Sequence, residues 1–409
     1  MIGSKVLFIG YVWPEPNSSA AGSRMLQLID FFKSTGSKVT FASPAKKGAH
    51  VFDLETIGVH QQEIELNNGS FDTFLEKLQP TIVVFDRYMM EEQFGWRVAE
   101  HAPNALRILD TEDLHFLRYE RELALKGKSK ADKNALLNSE RAKRELAAIY
   151  RCDLTLIISE VEMDILKEVF QVDEKLLLYL PFLLKKSEKK EIPLEDKQDF
   201  IFIGNFIHAP NWDAVLALKE TVWPLIKKEL PKAKLHVYGA YATEKVYNLN
   251  NSAEGFIVHG WAEDAVEVIS KAKVMLAPLR FGAGLKGKLV EAMQSNTPSV
   301  TTTIGAEGIN GSYNWNGFIY DNPLDFAYAA VSLYTEESKW EQAVKNGHKI
   351  LNMRFDVSVH KLNLKTAIDS IKEELEQHRT TNFIGSMLLQ QTTQASKYMS
   401  KWIETKNKK

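Results

Sequence analysis

A glycine- and lysine-rich stretch, Arg280-Phe-Gly-Ala-Gly-Leu-Lys-Gly-Lys288, is the part of this 409-residue chain best suited to chemistry. It follows an apolar run, Val274-Met-Leu-Ala-Pro-Leu279, and precedes a helical pattern, Leu289-Val-Glu-Ala-Met-Gln-Ser295. Such a turn delivers backbone N–H groups to a helix start, where the helix dipole favours anions. Glycine permits close approach because it has no Cβ. Lys286 and Lys288 add two cations at the same place, so the stretch reads as a phosphate cradle. The plainer alternative is a helix-start turn with surface lysines.

Two motif identities compete for this loop. Gly282, Gly284 and Gly287 fit the dinucleotide pattern G-x-G-x-x-G, with Glu307 near the place of a ribose-binding acid, but the loop lies late in its domain. Residues 282–288 also match the start of a P-loop. Leu289 then stands where Ser or Thr must hold Mg²⁺, so an NTPase fails at its metal. Glu291 lies one turn into the helix on the face that reaches back toward the cradle. Phosphates would repel its carboxylate, so a ribose diol is the better partner; an ordinary exposed glutamate is the alternative.

The elements that must position this loop alternate along the chain. Lys5 to Gly10 is an apolar run suited to a parallel strand covered on both faces, followed by a loop over 11–23, a helix from Arg24 to Ser34 and a strand from Lys38. Strands at 81–85, 106–109 and 154–159, with a helix over 91–101 and a charge-rich helical stretch over 118–150, extend the pattern. Residues 185–198 are rich in Lys and Glu, carry Pro193 and read as a linker. Asp199-Phe-Ile-Phe-Ile-Gly204 then repeats the strand-to-glycine opening, and strands near 234, 256, 274 and 299 alternate with helices over 211–230, 262–271, 288–295 and 323–334. Two such openings predict two doubly wound α/β domains, whose facing strand ends form a cleft for ligands.

Composition limits the partners. Hydrophobic residues make up 44% and charged residues 25% of the chain, as in an ordinary globular protein, and its length suits two domains. A formal net charge of −2 gives no electrostatic case for nucleic acid. Cys152 is the single cysteine, which excludes an internal disulfide or a cysteine zinc site and fits a reducing compartment. No run approaches the roughly 18 apolar residues of a membrane-spanning helix, so a cytoplasmic protein is expected. Tail residues among 382–409, including Ile384, Met387, Tyr398, Met399, Trp402 and Ile403, lie among basic ones, which leaves room for peripheral contact with the inner face of a membrane.

Taken together, Phe202-Ile-Gly-Asn-Phe-Ile-His-Ala-Pro-Asn211, Trp223-Pro224, Ala277 to Ala292 and Thr302-Thr-Ile-Gly-Ala-Glu-Gly308 resemble the donor domain of GT-B glycosyltransferases, family 4. The resemblance is strong over 200–321, fair over the N-terminal half and thin in the tail. It implies two Rossmann-like domains facing across a cleft: residues 1–190 on the acceptor side, 191–365 holding the donor, and 366–409 packing back on the first domain. It also implies retaining transfer from a nucleotide-diphosphate sugar to a hydroxyl-bearing acceptor, with no metal or other cofactor required. The implied donor-binding residues are Gly22, Gly204, Asn205, Trp261, Arg280, Gly284, Lys286, Lys288 and Glu291; Asp110, Asp113 and Lys286 are the candidate catalytic groups.

The chain departs from the family at two points. Ala283 replaces the first glutamate of the family's E-x7-E motif, of which Glu291 matches the second. The usual Arg and Lys pair after the domain's opening strand is absent, with Asn205, His208 and Asn211 in that region, so Lys286 and Lys288 must carry more of the diphosphate charge. The family's N-domain histidine would sit near Glu112. Arg24 offers a cation near Gly22, unless it is solvated. A GT-B sugar-nucleotide epimerase and a non-catalytic nucleotide-sugar-binding protein stay open as alternatives.

Overall fold

The structure is a computed structural model, and it describes residues 3–185, 192–390 and, beyond these, 398, 402 and 406. Met399 and Ile403 of the tail lie outside the described residues.

Seven strands form the first sheet: β1 Lys5–Ile9, β2 Lys38–Ser43, β3 His60–Glu63, β4 Ile82–Asp86, β5 Leu106–Asp110, β6 Leu154–Ile157 and β7 Leu177–Tyr179. Six form the second: β8 Gln198–Ile203, β9 Leu235–Tyr238, β10 Phe256–Gly260, β11 Ala272–Ala277, β12 Ser299–Thr301 and β13 Gly317–Ile319. The orders are β3-β2-β1-β4-β5-β6-β7 and β10-β9-β8-β11-β12-β13, and every pairing is parallel. In each sheet the order reverses beside the opening strand, so a crevice forms at the carboxyl ends of β1 and β4, and of β8 and β11.

Burial on both faces explains the continuous apolar strands. Along β1, Leu7 and Ile9 enter one core while Val6 and Phe8 enter the core on the opposite face. In β8, Phe200 and Phe202 face one core and Ile201 the other. Period-2 alternation thus feeds two helical layers per sheet.

The sequence predicts one helix over 211–230, whereas the chain forms Ala209–Ala217, a widened π turn at Leu218–Val222 and a second helix Trp223–Glu229. Pro224 is the physical reason: it lacks an N–H and its ring crowds the carbonyl one turn back. Trp223 is buried and its indole N–H donates to the Glu254 carbonyl at 2.8 Å. Cys152 is buried too, and burial pushes its thiol well up from the usual range.

The chain returns to the first domain at its end. Helix Val357–Glu373 places Leu364, Ile368 and Ile371 in the core beneath β1. Arg379 then grips Asp153 with both Nε and Nη2 at 2.8 Å and donates to the carbonyls of Pro103 and Ala105. Among the described residues, no helix is long and apolar enough to cross a membrane.

Candidate active site

The glycine-rich loop leaves β11 and opens helix Gly287–Gln294. Gly284 has φ +61°, a left-handed conformation that glycine adopts without penalty, and a Cβ there would lie 2.8 Å from Asp113 Cβ. A Cβ on Gly287 would lie 2.5 Å from that of Ala20. These glycines are needed because the loop presses directly against the first domain. Glu162 Oε1 accepts both the Gly284 N–H at 2.9 Å and the Leu114 N–H at 2.8 Å, tying the loop to the β5 side. Arg121 donates to the Gly282 carbonyl at 2.8 Å and holds both Glu307 oxygens at 2.8 and 2.7 Å.

Between the domains lies a cavity of about 650 Å³. Of the residues named from sequence, Gly22, Asp113, Gly204, Asn205, Trp261, Lys286, Lys288 and Glu291 line it. The lysine ammonium groups stand at its second-domain wall. Lys286 Nζ donates to the Gly284 carbonyl at 2.7 Å, and Lys288 Nζ to Asn211 Oδ1 at 2.6 Å, above the Phe202 ring. Burial lowers Lys286 to about 8 and Lys288 to about 7. An anion entering the cavity would hold both in the charged form. The start of this helix adds its partial positive charge at the same spot.

Three of the donor-binding and catalytic candidates do not line the cavity. Asp110 is fully buried behind the wall, where Arg24 Nε and Nη2 hold its carboxylate at 2.8–3.1 Å. Arg24 is therefore neither solvated nor turned to the cleft: it also donates to the Leu180 carbonyl, and it is 1% exposed. Arg280 turns outward to Asp213, bonding it at 2.9 Å through Nε. Gly284 supports the loop from beneath rather than facing the cavity. Across the mouth, Trp261 stacks on His50 with centroids 4.1 Å apart and donates to the Asn17 carbonyl at 3.2 Å. Tyr241 bonds both oxygens of Glu15 at 2.8 Å, closing the same rim.

The first-domain wall holds Asp86, Arg87 and Arg118, which sequence reasoning passed over, beside His115, and His208 joins them from the second domain. Asp86 and Arg87 follow the apolar run of β4, and the rule that ligands gather at carboxyl ends of parallel strands is the signal that points to them. Three residues that line the cavity stand on strained backbone. Arg87, Glu112 and Tyr241 have φ of +68°, +61° and +59°, conformations that bulky side chains adopt only when their surroundings enforce them.

Charge on this wall is strongly tuned. Burial acts to raise the Asp113 carboxyl, but Arg118 and His115 outweigh it and hold it at about 2. Burial lowers His115 to about 3 and His208 to about 4, so both imidazoles are neutral at pH 7. Burial, reinforced by Asp110 and Asp86, pushes the Glu112 carboxyl well above its usual range. Glu162 rises to about 7 through burial and the charge of Asp113. Among the described residues, no group of three His, Cys, Asp or Glu side chains is placed to hold a metal ion.

Comparison with known proteins bears on the fold and on the second domain. Residues 197–336 match the family described as Glycosyl transferases group 1. An uncharacterized 44.6 kDa protein in the cps region of Klebsiella pneumoniae is 22% identical over 163 residues, a match spanning 38% of this chain and 42% of that relative. The chain thus aligns with less than half of that relative's length. Among solved structures, a TarM mutant of S. aureus in complex with fondaparinux, alpha-GlcNAc-glycerol and UDP superposes with a TM-score of 0.68 at 11% identity, covering 89% of this chain and 99% of that one. Anabaena HepE in complex with UDP-glucose gives 0.68 at 13% identity, with 90% and 100% covered. Sucrose-phosphate synthase from Thermosynechococcus elongatus gives 0.64 at 14% identity, with 90% and 99% covered. The architecture is therefore the GT-B fold, two Rossmann-like domains facing across a cleft, and its second domain carries a sequence similar to the glycosyl transferases of group 1.

Proposed function

We propose that this protein is a glycosyltransferase that moves a sugar from a nucleotide-diphosphate donor to a hydroxyl of a saccharide or other acceptor, with retention of configuration and without a required metal. The observation that carries this reading is the meeting of Lys286, Lys288 and a helix start at one wall of an interdomain cavity. Departure of the leaving group places negative charge on the nucleoside diphosphate, and those cations and amides stabilise it. Glu291, on the same wall, is assigned to the nucleotide ribose, and Gly204, Asn205 and Trp261 to the nucleoside end. Asp113 remains ionised beside Arg118 and is assigned to orienting the acceptor hydroxyl. In the retaining course the hydroxyl adds on the face the diphosphate leaves, and a diphosphate oxygen takes its proton. Arg280 and Asp110 act from outside the cavity, as loop anchor and buried ion pair.

The best fit in biology is polysaccharide or glycoconjugate synthesis in the cytoplasm, with the basic tail allowing contact with a membrane face; some of the structural neighbours are complexes with UDP or UDP-glucose, which recommends uridine donors first. Incubating the purified protein with a panel of nucleotide sugars and acceptors tests the proposal. Nucleoside diphosphate release, with a product whose anomeric configuration by NMR equals that of the donor, supports it. Interconversion of sugars without release points to the epimerase, and tight binding with no turnover returns the non-catalytic reading that Ala283 keeps open.

A further inference from the structure

The first-domain wall of the cavity contains an arrangement that phosphate binding leaves unused. Arg87 lines the cavity with its side chain 15% exposed; its nearest charged group is Asp86, at a loose 3.7 Å, and it lies over the Tyr11 ring at 5.2 Å. Among the described residues its guanidinium makes no hydrogen bond. Beside it, Asp86 Oδ1 and Glu112 Oε1 are buried acceptors without a hydrogen-bond partner among the described residues, and Asp86 is only 4% exposed. Buried polar atoms in a native fold are normally paired, so unpaired donors and acceptors side by side point to a ligand that supplies both. Two of these residues also sit on strained backbone, Arg87 and Glu112, which places their side chains at a cost the fold bears elsewhere.

The charges on this wall cancel. Arg24 is matched by Asp110, Arg118 by Asp113 and Arg87 by Asp86, while burial together with Asp110 and Asp86 favours the uncharged form of Glu112. A neutral wall offering unpaired N–H donors next to unpaired carboxyl oxygens suits hydroxyl groups, each of which accepts one bond and donates another. An anionic group would gain Arg87 only by approaching Asp86 and Asp113. The wall also stands next to the cradle, because the Glu112 carbonyl lies 3.2 Å from where a Cβ on Gly284 would be.

We infer that Arg87, Asp86 and Glu112 form a sugar-reading subsite that accepts an uncharged, hydroxyl-bearing glycosyl unit and disfavours a hexuronate. This rests on the nucleotide-sugar reading given above. Calorimetry on the full chain with UDP, UDP-glucose and UDP-glucuronate tests it, with the adenosine and guanosine counterparts included. UDP-glucose is expected to bind roughly tenfold tighter than UDP-glucuronate, and Arg87→Ala or Glu112→Ala to weaken UDP-glucose by roughly tenfold, while UDP itself changes by less than about twofold. Glu112→Gln, which keeps a donor and an acceptor, is expected to retain most of the affinity for UDP-glucose and controls for folding. Equal or tighter binding of the glucuronate, or equal losses for UDP and UDP-glucose in Arg87→Ala, overturns the subsite alone. Absence of binding by every nucleoside diphosphate overturns both the subsite and the nucleotide-sugar reading.

Discussion

Lys286 and Lys288 are unlike surface lysines, because both have been drawn out of water to within reach of an interdomain cavity. A charge-assisted contact to phosphate from such a group is worth ~1–3 kcal/mol, so Lys286→Ala is expected to weaken nucleoside-diphosphate binding by that amount in calorimetry. Unchanged affinity would refute the assignment. The lowered lysines also set a pH dependence. In the free protein Lys288 is half deprotonated at about 7 and Lys286 at about 8, whereas a bound diphosphate favours the ammonium forms. Binding therefore takes up protons in this window, and affinity falls as pH rises from 7 past 8. Titrations in two buffers of different protonation enthalpy measure this directly; net proton release at pH 8 would contradict it. Asp110 shows the limit of reading single residues, since only its neighbour Arg24 reveals that it is committed to a buried ion pair.

At the scale of elements, the glycine loop and the helix it opens act as a wedge between the domains. Gly287 has ordinary helical backbone, so its lack of a side chain is a matter of space: Ala20 stands where a Cβ would go. Gly287→Ala is expected to lower stability by ~1–3 kcal/mol through overpacking, seen as a lower Tm. A Tm equal to the parent's would mean that the two domains do not press together there. The π turn at Leu218–Val222 is a second case of local chemistry shaping an element, with Pro224 dividing what would have been one helix. Strands β3, β7 and β13 escaped detection for a plainer reason. His60–Glu63 is polar throughout, and Leu177–Tyr179 and Gly317–Ile319 are three residues long, so none is long enough or apolar enough to carry a hydrophobic period.

For the whole molecule, the position of one domain against the other is maintained by polar clasps together with an apolar seam, in which Ile158 and Phe182 of the first domain cluster with Leu285 and Leu289 of the second. Arg121 joins Glu307 and the Gly282 carbonyl, Glu162 accepts from the Gly284 N–H, and Tyr241 donates to Glu15 at the far rim. Clasps of this size suit a cleft that opens to admit ligands and closes over them. Arg121→Ala is expected to widen the unliganded cleft, increasing the radius of gyration in solution scattering, with nucleotide restoring part of the compactness. Identical scattering curves for variant and parent would remove Arg121 from that role.

Local sequence was sufficient for the two-domain α/β architecture, because strands covered on both faces must be apolar throughout and the glycine after an opening strand marks each winding. The loop proposed as a phosphate cradle was legible as a feature for the same reason: glycine spacing, lysines and a helix start are contiguous in the chain. The wall opposite was not. Arg87, Glu112, Arg118 and Glu162 are spread along the chain and meet only at the carboxyl ends of the first sheet, and His208 joins them only when the two sheets face each other. Their charge states follow from that meeting, since burial and mutual fields depend on distance in space and not on order along the chain.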